Sequence, residues 1–128
     1  MLSAEVERAI QELRESHPDN ELSLVEDGQG GAGVTMQGFG TGAALNPETT
    51  WVGFAVTFQY PATDVYPHFV RSDLVRADGR PLEGQGISMA TWNGAPAIQL
   101  SRRSNRWRQG QDTAAIKLAK VIEWLRTR

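Results

Sequence analysis

The segment SRRSNRWRQGQD, residues 101–112, brings together residue types that readily bind anions. It contains one tryptophan and four arginines: Trp107, Arg102, Arg103, Arg106 and Arg108. Guanidinium groups can neutralise phosphates and an indole can stack on a base, so the pattern is compatible with a nucleic-acid contact. A sequence pI of about 5.7 and the lack of a second basic and aromatic strip argue against a dedicated nucleic-acid-binding domain. For this arginine loop (residues 101–108) we favour a solvated loop that packs Trp107, and keep anion or nucleic-acid binding as the alternative.

Few other residues could supply chemistry. Cysteine is absent, which excludes thiolate nucleophiles, thiolate metal sites and disulfides. The two histidines, His17 and His68, have no His, Asp or Glu partner at metal-ligand spacing. The G-x-S-x-G motif of many hydrolases is also missing. We predict no catalytic residue, no metal site and no cofactor.

The glycine string GQGGAG matches G-x-G-x-x-G at Gly28, Gly30 and Gly33. A dinucleotide-binding motif needs a helix after it, because the helix N-terminus holds the pyrophosphate. The alternating segment VTMQGFG follows instead, which is typical of a strand. We therefore predict a hairpin loop.

Charge is divided unevenly along the chain. Residues 1–64 carry ten acidic residues and two arginines, whereas residues 65–128 carry five acidic and eleven basic residues. If the halves are separate in space, the molecule is polarised and can steer an acidic partner to one face. If they interleave, the field cancels, and the sequence leaves both arrangements open.

Length and composition indicate one globular domain over residues 1–128. The chain is 40% hydrophobic and 22% charged, as in ordinary globular domains. No apolar run approaches the roughly 20 residues of a membrane span, and the N-terminus does not resemble a secretory signal. We expect a cytoplasmic protein that does not insert in a membrane.

Amphipathic helices are predicted at both ends of the chain. The first begins after the N-cap Ser3 and ends at about His17, because Pro18 follows. Its apolar residues recur at helical spacing: Val6, Ala9, Ile10 and Leu13. The last helix has Asp112 as its predicted N-cap and an apolar stripe of Ala115, Leu118, Ile122 and Leu125, widened by Val121 and Trp124.

Alternating segments between the helices predict strands. They are ELSLVED, VTMQGFG, WVGFAVTFQYP and HFVR, and the third places Phe54, Val56 and Phe58 on one face. Asn93-Gly94 is a strong two-residue turn signal, followed by a short strand at about 97–100. The predicted fold class is α+β, with an N-terminal helix, an antiparallel β-meander, an irregular region and a C-terminal helix.

Several short motifs, taken in order, resemble those of the ubiquitin-conjugating enzymes. Tyr66-Pro67 stands where that family has a Tyr-Pro pair, and Asn93-Gly94 stands at its Asn-Gly turn. Trp107 and Asp112 precede the last helix, as in a prokaryotic branch with a similar SR…W..G.D segment. The resemblance covers nearly the whole chain and implies a ubiquitin-conjugating-enzyme-like fold.

The chain departs from that family at the catalytic centre. The cysteine would fall between Ala97 and Gln99, where there is none, and the His-Pro-Asn motif is missing. Without a thiolate the thioester chemistry is excluded, because a serine hydroxyl is a much poorer nucleophile. Ser101 and Ser104 are the nearest hydroxyls, with no base in sequence reach, so acyl transfer without cysteine is kept only as an alternative.

The resemblance therefore implies a non-catalytic, conjugating-enzyme-like adaptor. Its partner would be a ubiquitin-like protein or an activating enzyme of a bacterial conjugation system. In the family the first helix meets the activating enzyme, and here that helix carries an acidic face of Glu5, Glu7, Glu12 and Glu15. We expect partner contacts at Glu5, at Glu12 and at the arginines of the loop.

Overall fold

The computed structural model describes residues 1–128 and has one helix at each end with eight strands between them. The elements are α1 (Ala4–Ser16), β1 (Leu22–Glu26), β2 (Ala32–Gly40), β3 (Leu45–Asn46), β4 (Thr49–Val56), β5 (His68–Arg71), β6 (Val75–Arg76), β7 (Ile87–Trp92), β8 (Ala95–Leu100) and α2 (Ala114–Leu125). This layout confirms the predicted α+β class with an antiparallel sheet. Neither helix combines the length and apolar character that crossing a bilayer requires.

Helix α1 forms as its sequence predicts. The Ser3 hydroxyl accepts a hydrogen bond from the Val6 N–H at 3.1 Å, which satisfies one of the free donors of the first turn. The residues spaced for one face are buried: Val6, Ala9, Ile10 and Leu13. His17 caps the helix just before Pro18.

Six strands form one antiparallel sheet in the order β1-β2-β4-β5-β8-β7. The first four make the predicted meander. Across the sheet, Val34 pairs with Phe54, Phe54 with His68, and His68 with Leu100. All four side chains are fully buried, and the same face contributes to a single core with both helices.

Two parts of the strand prediction are wrong. Strand β4 ends at Val56, and Phe58 is 54% exposed rather than in line with Phe54. A turn closed by the bond from Tyr60 N–H to the Thr57 carbonyl interrupts the alternation there. Strand β3, between the predicted strands VTMQGFG and WVGFAVTFQYP, was not predicted, and it pairs with β6 in a separate two-stranded sheet.

The turn predicted at Asn93-Gly94 joins β7 to β8. Both residues have positive φ, 50° and 79°, as a two-residue hairpin turn requires. The hairpin adds two strands to the sheet. Strand β8 contains the strand predicted at about 97–100, whereas β7 lies within the segment predicted to be irregular.

Trp92, at the end of β7, lies across the outer face of the sheet. Its ring stacks on Phe69 with centroids 4.9 Å apart, and its Nε1 donates to the Thr35 hydroxyl at 2.9 Å. A Cβ atom at Gly53 would overlap the indole. The outer face therefore needs a glycine at this position of β4.

The N-cap predicted for α2 is wrong by one residue. Thr113, in extended conformation, is the N-cap, and its hydroxyl accepts from the Ile116 N–H at 3.1 Å. Asp112 instead accepts from the Arg108 N–H at 2.6 Å. Asp112 therefore closes the arginine loop rather than capping the helix.

The buried face of α2 is also rotated from the predicted stripe. Leu118, Val121, Ile122 and Leu125 are buried as expected, whereas Ala115 and Trp124 are only half-buried. Ala114 and Lys117 complete the buried face. A lysine thus occupies a core position of this helix.

Candidate functional site

The arginine loop connects β8 to α2 and is fixed to the body of the protein at three points. Ser101 N–H donates to the Gly86 carbonyl at 2.7 Å, and Ser104 N–H donates to Asp64 at 2.6 Å. Trp107 Nε1 donates to the Pro61 carbonyl at 2.7 Å. The loop therefore has a defined shape although its arginines are exposed.

Trp107 packs against the hydrophobic core. Its ring meets the edge of Tyr60, with centroids 6.4 Å apart. The Tyr60 hydroxyl in turn accepts from the Ala114 N–H at 3.1 Å, in the first turn of α2. Trp107 and Tyr60 together tie the arginine loop to the start of the last helix.

Beneath the loop lies a buried ion pair between Asp64 and Lys117. Lys117 Nζ is 3.0 Å from both carboxylate oxygens, and the side chains of Lys117 and Asp64 are only 6% and 9% exposed. The same Nζ donates to the Ser104 hydroxyl at 2.7 Å, and that hydroxyl donates to Asp64 at 3.1 Å. Three side chains thus form a closed polar network.

The protonation states of the network follow from its contacts. Burial alone raises the pKa of Asp64, but hydrogen bonds from Ser104 N–H and from Lys117 outweigh it, and the net direction is downward. Burial lowers the pKa of Lys117, and Asp64 offsets this only in part. All three N–H bonds of an ammonium at Lys117 have an acceptor, so the geometry fits the charged form.

This arrangement does not favour Ser104 as a nucleophile. No base is within reach of Ser104 along the sequence, whereas the fold brings Asp64 and Lys117 to its hydroxyl. A charged lysine has no lone pair to accept a proton, and a carboxylate with a lowered pKa is a weak general base. The network is better suited to hold the loop in place than to activate a hydroxyl.

His68 lies close by, on β5, and is fully buried with no hydrogen-bond partner for either ring nitrogen. Its ring packs on Phe54 at 5.1 Å between centroids. Burial, reinforced by the charge of Lys117, lowers the pKa of His68 to about 3. His68 is therefore a neutral core residue at physiological pH.

Three of the four arginines surround a cavity between the loop and α2. This basic pocket has a volume of about 220 Å³. Its lining residues are Arg102, Arg103, Ser104, Asn105, Arg106, Asp112, Lys117, Lys120 and Val121. Because Asp64 neutralises Lys117, the exposed charges are four cations and the single carboxylate of Asp112.

The arginines of the basic pocket have no charged or hydrogen-bonding partner within the protein. The guanidinium groups of Arg102, Arg103 and Arg106 take part in none of its hydrogen bonds or ion pairs. Arg102 instead lies over the ring of Trp124, with Cζ 5.0 Å from the centroid, and Arg103 lies over Tyr66 at 5.7 Å. Of these two aromatic neighbours, Trp124 lies on α2 and Tyr66 lies in the connection that leads into β5. The sequence did not indicate either contact.

Arg108 is separate from the other three. It does not line the basic pocket, and its Nη1 donates to Gln111 at 3.3 Å. Arg108 therefore does not share the environment predicted for all four arginines.

Glu5 and Glu12 line a second cavity, of about 160 Å³, between α1 and the start of α2. Asp112 and Arg8 line it too, and Glu5 pairs with Arg8 at 3.6 Å. Asp112 also lines the basic pocket. The two cavities of opposite charge are therefore neighbours. At this end of the molecule, acidic residues of the N-terminal half and basic residues of the C-terminal half line separate cavities.

The remaining residues of the family-like motifs fall in different places. Tyr66 is 41% exposed beside Arg103, and Pro67 directly precedes β5. The Asn93-Gly94 turn lines neither cavity. The other Tyr-Pro pair, Tyr60-Pro61, is the one that anchors Trp107.

Asp64 and Lys117 are the site residues that sequence reasoning missed. A signal existed for Lys117, because it stands between Ala114 and Leu118 on the apolar face of α2 and a charge there needs a buried partner. No comparable pattern marks Asp64, which lies in the connection between β4 and β5.

Outside this region we find no further candidate centre. The His, Asp and Glu side chains form no group of three that could hold a metal ion. Comparison of the chain with family models, with curated proteins and with solved structures gives no match. The functional argument therefore rests on the basic pocket itself.

Proposed function

We propose that the chain is a non-catalytic binding domain that takes up an acidic group of a protein partner in the basic pocket. One observation carries this proposal: Arg102, Arg103 and Arg106 line one cavity, and their guanidinium groups have no hydrogen-bonding or negatively charged partner in the protein. Charged groups that lack internal partners and line one cavity are suited to bind an external anion.

Within this proposal, the adaptor role in a bacterial conjugation system, in the cytoplasm, is the biological setting that the family resemblance implies. The segment where the family has its cysteine is part of β8, in the interior of the sheet. Ala97 and Ile98 are buried there and Gln99 is half-buried. Because these side chains are apolar or only partly accessible, this position has no catalytic group to offer a substrate, which supports a binding role rather than a catalytic one.

The test is calorimetry with a ubiquitin-like protein from the same genome. We expect binding that weakens steeply between about 50 and 200 mM salt, because charges on the rim are screened. The double variant Arg102→Ala/Arg106→Ala should lose this binding, whereas Arg108→Ala, in the same loop but outside the pocket, should keep it. Binding that is equal in all three proteins would contradict a role for the basic pocket.

A second candidate, nucleic-acid binding, is favoured by the aromatic residues beside the arginines. Tyr66 is exposed next to Arg103, and a base can stack on such a ring. This candidate requires a labelled single-stranded oligonucleotide to bind at low salt and Tyr66→Ala to weaken that binding. Absence of any low-salt binding would dismiss it.

A further inference from the structure

We infer that the group bound in the basic pocket is a phosphoryl dianion, as in a phosphomonoester, rather than a carboxylate or a phosphodiester. This inference rests on the proposed function, because it names the chemistry of the ligand at the same site. It is carried by the charge of the lining, the placement of the guanidinium groups, the internal hydrogen bonds of Ser104 and Lys117 and the size of the cavity.

The charge of the lining exceeds what a carboxylate can balance. Arg102, Arg103, Arg106 and Lys120 contribute four cations, and Asp112 contributes one carboxylate. Lys120 is 3.9 Å from Asp112, which leaves the three arginines unbalanced. A phosphoryl monoester carries roughly −1.5 to −2 charges at neutral pH and three acceptor oxygens, whereas a carboxylate carries one charge and two oxygens.

Two of the arginines contact aromatic rings rather than acidic groups of the protein. Arg102 lies over Trp124 and Arg103 lies over Tyr66. A guanidinium over an aromatic ring is attracted to the ring face, and this contact uses none of its N–H groups. A guanidinium presented in this way can form paired hydrogen bonds to phosphate oxygens.

Two of the lining residues, Ser104 and Lys117, already bind the protein's own anion, Asp64. Asp64 accepts from Lys117, from the Ser104 N–H and from the Ser104 hydroxyl. The N–H and O–H groups of Ser104 and Lys117 are all used in these hydrogen bonds, so none is available to a ligand. The ligand must therefore be held by the arginines and Lys120 at the rim, and the buried network serves to position the loop.

The volume suits a single small group. A cavity of about 220 Å³ corresponds to roughly seven waters at about 30 Å³ each. That space accommodates one phosphoryl group with some of its hydration. A terminal monoester can direct three oxygens into it, whereas a phosphodiester must run its chain past the opening and can direct only two.

The experiment is an NMR titration of the isotope-labelled full chain at constant ionic strength. The probes are inorganic phosphate, phosphoserine, acetate, hexaglutamate and dimethyl phosphate. We expect saturable shifts of the amide signals of residues 102–106 and 117–121 with phosphate and phosphoserine. Acetate and dimethyl phosphate should bind at least about tenfold more weakly, the ratio given by one further charge-assisted hydrogen bond.

Two variants test which arginines bind the phosphoryl group, and the comparison of phosphoserine with inorganic phosphate tests its source. Arg102→Ala/Arg106→Ala should abolish the phosphate shifts and Arg108→Ala should keep them. Tighter binding of phosphoserine than of inorganic phosphate would assign the phosphoryl group to a protein partner, and equal binding would assign it to a free phosphate compound; both support the inference.

Three results would overturn the inference. If acetate binds as tightly as phosphate, the phosphoryl preference is wrong although the proposed function stands, and binding of hexaglutamate, which has several carboxylates, supports the proposed function alone. If dimethyl phosphate binds more tightly than phosphate, the nucleic-acid candidate replaces it. If no anion shifts these signals, both the inference and the proposed function fail.

Discussion

Lys117 Nζ lies 3.0 Å from each carboxylate oxygen of Asp64, in a pair that joins the core face of α2 to the connection between β4 and β5. The contact is almost closed to solvent. Attraction in such a site is offset by the cost of removing both charges from water, so the pair adds little net stability. The pair instead positions the arginine loop, because Ser104 of that loop donates two hydrogen bonds to the same carboxylate.

Removing one charge of this pair should be strongly destabilising. We expect Asp64→Asn to lower the free energy of unfolding by about 3–5 kcal/mol, because Lys117 is then left buried without its counter-charge. Urea denaturation measures this change. The double variant Asp64→Asn/Lys117→Met should recover part of the loss, and Asp73→Asn, which breaks the exposed pair with Arg71, should cost less than about 1 kcal/mol. A loss below about 1 kcal/mol for Asp64→Asn would contradict the burial of this pair.

Acid should destabilise the protein through His68. The pKa of His68 is lowered from 6.5 to about 3, so below pH 6.5 the unfolded chain binds a proton that the folded chain does not. Stability should therefore fall by up to about 1.4 kcal/mol per pH unit as the pH drops from 6.5 towards 3. The lowered pKa of Asp64 acts in a more acidic window, because stability from that carboxylate is lost only below its ordinary value of 3.8.

Denaturation at a series of pH values measures this slope. His68→Leu should flatten the profile above pH 4, and it should leave stability at pH 7 little changed because it also removes two unpaired polar atoms. Burial lowers the pKa of His17 as well. The variant His17→Gln therefore measures how much of the pH dependence of stability comes from the other histidine. An unchanged slope in His68→Leu would show that His68 is not buried in its neutral form.

The outer face of the sheet can be tested at Gly53. We expect Gly53→Ala to lower stability by about 1–3 kcal/mol, because the added methyl group would displace the ring of Trp92. Gly33→Ala is the matched control, since a Cβ there would lie 3.5 Å from the same ring, an ordinary contact. Melting temperatures that fall equally for both variants would indicate that Trp92 does not lie on Gly53.

The start of α2 offers a test of the N-cap. Thr113→Ala should cost about 1 kcal/mol, because the Ile116 N–H loses its acceptor. Thr113→Ser keeps the hydroxyl and should cost much less. If chemical denaturation shows equal losses for the two variants, the hydroxyl of Thr113 does not cap the helix.

Local signals account for what could be predicted from the sequence. Ser3, Pro18 and the Asn93-Gly94 turn each act through their immediate neighbours, so the boundaries of α1 and the β7–β8 turn could be predicted. The choice between Asp112 and Thr113 as N-cap depends on backbone conformation, which two adjacent capping residues leave open.

The candidate site depends on contacts between distant segments and could be predicted only in part. The arginines were visible as a cluster, but Asp64 and Lys117 are 53 residues apart and nothing in the sequence pairs them. The same holds for Arg103 and Tyr66, which meet only because β8 pairs with β5. Which arginines face a cavity, and which one does not, is a property of the folded loop.

The most direct test of the basic pocket is the affinity of fluorescently labelled hexaglutamate, measured by anisotropy at low salt. Three proteins are compared: the unaltered chain, Arg102→Ala/Arg106→Ala and Arg108→Ala. If the pocket is an anion-binding site, the double variant should bind at least about tenfold more weakly than the other two, which corresponds to about 1.4 kcal/mol. Equal affinity of all three proteins, or a loss as large in Arg108→Ala as in the double variant, would contradict it.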